Sequence, residues 1–164
     1  EIGTTSLVGR YVGARNPAAV RRTLGSGIKL GCGFSAIMLF VFLLFPDVLV
    51  DVFRPDQDSA NFEAARGLAI DMVRLVSLYI GSNVLILVFA GALRGAGDTF
   101  WAMCATVGMH WAMVAVLWTS LEVFQLGTLK AWITLIVLFL LYPVVLGMRW
   151  RSGKWRKLMA EAAH

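Results

Sequence analysis

Apolar residues in this chain run together instead of alternating. Four charge-free runs cover residues 30–46, 75–93, 99–121 and 131–148. Their borders are charged: Lys29 and Asp47, Arg74 and Arg94, Asp98 and Glu122, Lys130 and Arg149. Crossing a hydrocarbon core of about 30 Å takes roughly 17–25 helical residues. A backbone in lipid must satisfy its own hydrogen bonds, so each run predicts a helix. The predicted membrane helices cover about 17–52, 60–94, 99–121 and 131–150. The first run is the shortest and extends back past Lys29, whose long side chain can snorkel to the headgroups. Residues 1–15 read as the end of an earlier helix. The fold class expected is therefore all-α and polytopic, with four transmembrane helices plus the end of a fifth.

Punctuation refines the ends. Asn16 is a suitable N-cap, and Pro17 suits the first helical position. The longest connection follows the first run, and its later part, from about Ser59, is expected to belong to the second helix. Pro46 and Pro143 are expected near helix ends or as kinks.

Composition agrees with a membrane reading. The chain is 59% hydrophobic and 15% charged, with a mean hydropathy of +0.74. Soluble domains hold about 45–50% apolar and about 25% charged residues. In a soluble protein the net charge of +5 would suggest nucleic acid. Here the basic residues gather at the ends of apolar runs. The partner expected is a lipid bilayer with anionic headgroups, and no nucleic acid. Residue 1 is Glu and no signal peptide opens the chain, so a piece of a longer protein is expected. Cys32 and Cys104 lie in apolar runs and read as small packing residues, not as a disulfide or metal pair. His110 and His164 have no evident partner ligands in sequence, and no metal site is expected.

Lysine and arginine placement orients the helices. One side holds Arg10, Arg15, Arg21, Arg22, Lys29, Arg94, Arg149, Arg151, Lys154, Arg156 and Lys157. The other holds Arg54, Arg66, Arg74 and Lys130. The first side is expected to be cytoplasmic, with the C-terminus, by the positive-inside bias. Seven acids (Asp47, Asp51, Asp56, Asp58, Glu63, Asp71 and Glu122) fall on the other side. Trp101 and Trp150 at inner ends, with Trp118 and Trp132 near outer ends, read as interfacial belts.

Two hairpins on the basic side share a pattern. One reads Gly13-Ala14-Arg15-Asn16-Pro17, the other Gly95-Ala96-Gly97-Asp98-Thr99. A glycine can end a helix in the left-handed conformation, and the Asn or Asp can then cap the next helix. Arg94 and Asp98 would each favour the helix dipole beside them. Both are ordinary turn residues on this reading. The functional alternative is an inner gate in which they exchange partners between states.

The stretches "LVGRYVGARNPAAVRR", "LFPDVLVDVFRPD", "AGALRGAGDT" and "RSGKWR" resemble, in order and spacing, the C-terminal part of multidrug and toxic compound extrusion (MATE) transporters. "GALRGAGDT" is the most specific of them. The resemblance implies part of a twelve-helix, two-lobe fold, from the end of helix eight to helix twelve. Residues 1–151 would be a partial C-terminal lobe, and 152–164 a basic cytoplasmic tail. It implies a secondary antiporter in a bacterial plasma membrane. Such a protein exports small organic, often cationic, compounds in exchange for protons or sodium ions, by alternating access. It would use no other cofactor and no enzyme chemistry. The partner lobe would be the N-terminal lobe of the same protein, and this piece alone is expected not to transport. Inner-gate or turn candidates on the matching stretches are Gly9, Arg10, Gly13, Asn16, Arg94, Gly95, Gly97 and Asp98.

Polar side chains at mid-depth are costly unless they face protein or water. Tyr79, Ser82 and Asn83 on the second helix, and Thr134 and Tyr142 on the fourth, are the substrate-cleft candidates. Tyr79 and Asn83 lie four apart and share a face, which Ala90 continues. Interhelical hydrogen bonding is the competing role. Some MATE branches carry an acid at about the position of Asn83, which would bind the coupling cation; the neutral residue here implies that the acid lies elsewhere. His110 reads either as a proton relay or as a neutral group bonded to a neighbouring helix. Trp111 and Phe89 are suited to stacking on flat cations or to facing lipid. Two rival functions stand: a flippase of lipid-linked sugars or polysaccharide precursors in the same superfamily, and a non-transporting membrane scaffold.

Overall fold

The structure, a computed structural model, describes residues 1–54 and 59–161. Asp56, Asp58, His164 and the last three residues of the basic tail lie outside the described residues. Seven α-helices follow in order: α1 (Ile2–Gly13), α2 (Pro17–Leu44), α3 (Pro46–Asp51), α4 (Ser59–Gly95), α5 (Thr99–Trp118), α6 (Thr128–Arg151) and α7 (Lys154–Glu161). Between α5 and α6 lies a π-helical turn, Thr119–Val123. Among the described residues, four helices are long and apolar enough to cross a membrane: α2, Phe62–Gly95 of α4, Thr99–Val123 and α6. The protein is an all-α, polytopic membrane protein.

Two boundaries depart from the sequence expectation. The helix expected over 17–52 breaks at Phe45, because Pro46 cannot donate a backbone hydrogen bond and restarts the chain as the first residue of α3. The third helix widens into the π turn after Trp118. The predicted start at Ser59 agrees with α4. Pro143 lies inside α6.

The centre of the bundle is α4, which packs against α1, α2 and α6. Lipid offers apolar side chains as good a neighbour as protein does, so close packing depends on small residues. Gly91 and Gly95 supply this against α1. A Cβ on Gly91 would meet the Glu1 carbonyl oxygen at 2.9 Å, and one on Gly95 would run into the Thr5 carbonyl. A Cβ on Gly9 would meet the Gly95 carbonyl oxygen at 3.4 Å. A second pair, Gly27 and Gly31 on α2, receives the side chains of Val88 and Val84. The buried core runs through Val8, Val20, Leu24, Ala92, Leu93, Tyr142 and Leu146.

The outward faces are apolar and open, as on Phe34, Phe40, Met103, Val107 and Trp111. Cys32 and Cys104 are free and exposed on these faces. They are not the packing residues expected, because α2 and α5 bury little of their length. Trp118 is exposed, as a belt residue would be. Trp150 is not a belt residue: it is buried and stacks on Trp155 of α7, with centroids 4.9 Å apart.

Candidate functional site

The two matching hairpins adopt the same backbone. In the first, Ala14 N–H donates to Arg10, Arg15 N–H to Val12 and Asn16 N–H to Tyr11. In the second, Ala96 N–H donates to Ala92, Gly97 N–H to Arg94 and Asp98 N–H to Leu93. These paired bonds close a helix through one left-handed residue. That residue is the third of each motif: Gly97 (φ 88°), a glycine as expected, in the second turn, and Arg15 (φ 52°) instead of a glycine in the first. Gly95 is needed for the close approach of α1, and Gly13 has open space around it.

Caps separate the two turns. Asn16 Oδ1 accepts from the Ala19 amide at 3.0 Å, as predicted. Asp98 makes no side-chain cap. Its carboxylate accepts two bonds from the Arg149 guanidinium, at 2.7 and 2.9 Å. The guanidinium also lies over the Trp101 ring, 4.9 Å from its centroid. An ionised hydrogen bond from guanidinium to carboxylate is stronger than a neutral cap, so the arginine takes the carboxylate. The Arg94 guanidinium pairs with the carboxylate of Glu1, the residue that opens α1. Arg94 and Asp98 thus hold different helices, α1 and α6, to the same turn. Arg10 lies in the last turn of α1.

The cleft candidates do not converge on one site. Tyr79 meets the Phe139 ring edge-on, with centroids 4.6 Å apart. It lines a cavity of about 270 Å³ with Val76, Met113, Trp132, Ile136 and Phe139 among α4, α5 and α6. Asn83 is half-buried one turn further along α4, and Ala90 is buried. Ser82 turns to another face, where its hydroxyl donates to the Phe139 carbonyl at 3.0 Å. Tyr142 is buried and shares a 2.8 Å hydrogen bond with Thr106 of α5. Thr134 donates back to the Lys130 carbonyl within α6. Ser82 and Tyr142 therefore act here as interhelical hydrogen-bonding groups.

His110 Nδ1 is 2.7 Å from the Thr106 carbonyl of its own helix, and its side is exposed. Of the two readings, the bond to a neighbouring helix is not what the structure shows, since the His110 partner is a carbonyl of α5 itself. Trp111 is exposed beside it, and Phe89 is half-buried between α4 and α6. Among the described residues, no group of three or more His, Cys, Asp or Glu is placed to hold a metal ion.

The roles that sequence reading missed belong to Arg149, Glu1 and Trp132. Arg149 was counted only as a basic flank, yet it is the partner of Asp98. Trp132 has a buried indole N–H without a protein partner, at the wall of the 270 Å³ cavity.

Comparison with known proteins gives one consistent answer. The model of the MatE family matches residues 1–118 of this chain. A probable multidrug resistance protein NorM of Thermotoga maritima is 29% identical over 157 residues, 95% of this chain and 32% of the relative. A protein of the same name in Brucella suis is 30% identical over 148 residues, 90% of this chain and 31% of the relative. The multidrug resistance protein PmpM of Pseudomonas aeruginosa is 27% identical over 112 residues, 68% of this chain and 22% of the relative. The chain spans about a third or less of the length of these curated relatives. No solved structure matches.

Proposed function

This chain belongs to the MATE family, and we propose that it forms part of the C-terminal lobe of a secondary antiporter that exports small organic compounds. The observation that carries the reading is the cavity beside Tyr79. Its lining is aromatic and apolar, and none of its residues is charged. Aromatic rings hold flat cations through their negative faces. A flippase moving anionic lipid-linked sugars would need cationic groups at this depth, so the lining favours an organic, often cationic, cargo. The relatives' printed names point the same way.

In this reading the coupling ion is a proton or a sodium ion, and its carboxylate lies outside α2 to α6. Asn83 is neutral, and Glu1 is taken up by Arg94. The second lobe completes the cleft, and the two lobes rock to give alternating access. The end bearing the two short turns faces the cytoplasm, with the C-terminus, in a bacterial plasma membrane; the arginine and lysine bias supports this. Asp98, fixed to Arg149, moves with α6 as one body, so the gate acts between lobes and not within this one.

Liposomes holding the complete two-lobed transporter test the proposal. Efflux of a cationic dye is followed under a proton gradient and then under a sodium gradient. Movement driven by one ion establishes antiport and names that ion. No movement under either, with folded protein, removes the drug-exporter reading and leaves the flippase. Asn83→Leu should lower efflux while the protein still inserts; unchanged efflux takes Asn83 out of the cleft.

A further inference from the structure

A groove of about 430 Å³ runs between α4 and α6. Its walls are Leu85 and Phe89 on one side and Leu140, Val144 and Met148 on the other, and Arg151 stands at one end. Gly147 lines it opposite the Phe89 ring, where a Cβ would make ordinary contact at 3.6 Å and a longer side chain would enter the groove. We propose that this groove binds one acyl chain of an anionic phospholipid, with Arg151 holding its phosphate.

Three observations meet here. The first is length. From Leu140 to Arg151 is eleven residues of helix, or about 16 Å at 1.5 Å per residue. That matches one leaflet, half of a hydrocarbon core of about 30 Å. The second is charge. Arg149 and Arg151 are two positions apart, about 200° around the helix. Arg149 is consumed by Asp98 on the α5 side. Arg151 is exposed, and among the described residues it is in none of the ion pairs. The third is the surroundings of that end. Gly153 (φ 72°) turns the chain into α7. Trp155, 2% exposed, pins α7 to α6 by stacking on Trp150. Lys154, Arg156 and Lys157 on α7 are exposed.

An apolar slot one leaflet deep with a free guanidinium at the headgroup level suits a lipid anion. Basic pockets between transmembrane helices recognise such headgroups. An organic cation would be repelled by Arg151, and a free phosphate would leave the apolar slot unused. The site does not depend on the transport reading, since it needs neither the cavity at Tyr79 nor a coupling ion.

The test is lipid titration of the complete two-lobed transporter purified in mild detergent, with a photo-crosslinker at Leu140 to report what occupies the slot. Thermal unfolding and native mass spectrometry would follow phosphatidylglycerol, phosphatidylcholine with the same chains, and inorganic phosphate alone. Phosphatidylglycerol should raise Tm and remain bound as one tight adduct. Phosphatidylcholine should need at least tenfold more lipid for the same shift, and phosphate should do nothing. Arg151→Gln should erase that tenfold preference. Gly147→Leu fills the slot and should remove the response to both lipids. Arg151→Gln is an exposed change that keeps the fold, so its result stands even if Gly147→Leu does not fold. Equal response to the two lipids overturns the proposal. So does a shift from phosphate alone, an unaltered preference in Arg151→Gln, or a crosslink placing another protein helix in the slot.

Discussion

The Ser82 hydroxyl donates to the carbonyl of Phe139, 3.0 Å away on the neighbouring helix. Phe139 is the residue four before Pro143, which has no N–H to give it. The proline opens a gap in α6, and a serine on α4 fills it. In lipid no water can do so, and an unsatisfied carbonyl would be costly.

A double-mutant cycle follows from this pair. Ser82→Ala should destabilise the protein by about 1 kcal/mol, the usual scale of an interhelical hydrogen bond in membranes. In a Pro143→Ala background the helix makes its own bond, and the same serine change should cost almost nothing. Unfolding in mixed micelles measures both. An equal cost in the two backgrounds would separate Ser82 from the proline.

Glycines should divide by their surroundings. Gly95→Val should prevent α1 from docking on α4, because its Cβ has no room beside Thr5. Gly97→Ala has open space but a left-handed backbone (φ 88°), so it should cost only about 1 kcal/mol. Gly33→Ala, with open space and no such backbone, should be tolerated or slightly stabilising on helix propensity. Tm in detergent should rank them in that order.

The Asp98–Arg149 pair should behave as a buried ion pair. Asp98 is 8% exposed, and Asp98→Ala leaves the guanidinium without its carboxylate. Removing one partner of such a pair costs about 3 kcal/mol or more. Replacing both, Asp98→Leu with Arg149→Met, should cost less than either single change. A double variant as unstable as the sum of the singles would contradict this.

At the opposite end, Arg66 on α4 donates to Asp51 of α3 at 2.8 and 2.9 Å, and reaches Asp47 at 3.3 Å. The hydrogen bond from Arg66 holds the Asp51 carboxyl below its ordinary range, against the opposing effect of desolvation. A lowered carboxyl favours the docked state above the unfolded value of 3.8, and that advantage is lost as pH falls through the lowered value. Docking of α3 should therefore be flat between pH 7 and about pH 5 and weaken only under strong acid. A distance between spin labels on α3 and α4 would follow it. Asp51→Asn should make the distance distribution broad at every pH.

Much of the architecture was legible in the chain. Hydropathy placed the four long helices, because a spanning backbone must bond within its own segment and so needs only local sequence. Asn16 and Pro17 marked the start of α2 for the same local reason. The family resemblance carried by "GALRGAGDT" is also linear, and the family match confirms it. What the tertiary structure alone decided is which polar groups meet. Ser82 and Phe139 are 57 residues apart, Asp98 and Arg149 are 51, and Glu1 and Arg94 are 93. Nothing local distinguishes a capping Asp98 from one bonded across the bundle, or a cleft Ser82 from one that repairs a proline break. Those choices depend on how closely helices approach, and glycines such as Gly91 and Gly95 set that approach only once the partner helix is in place.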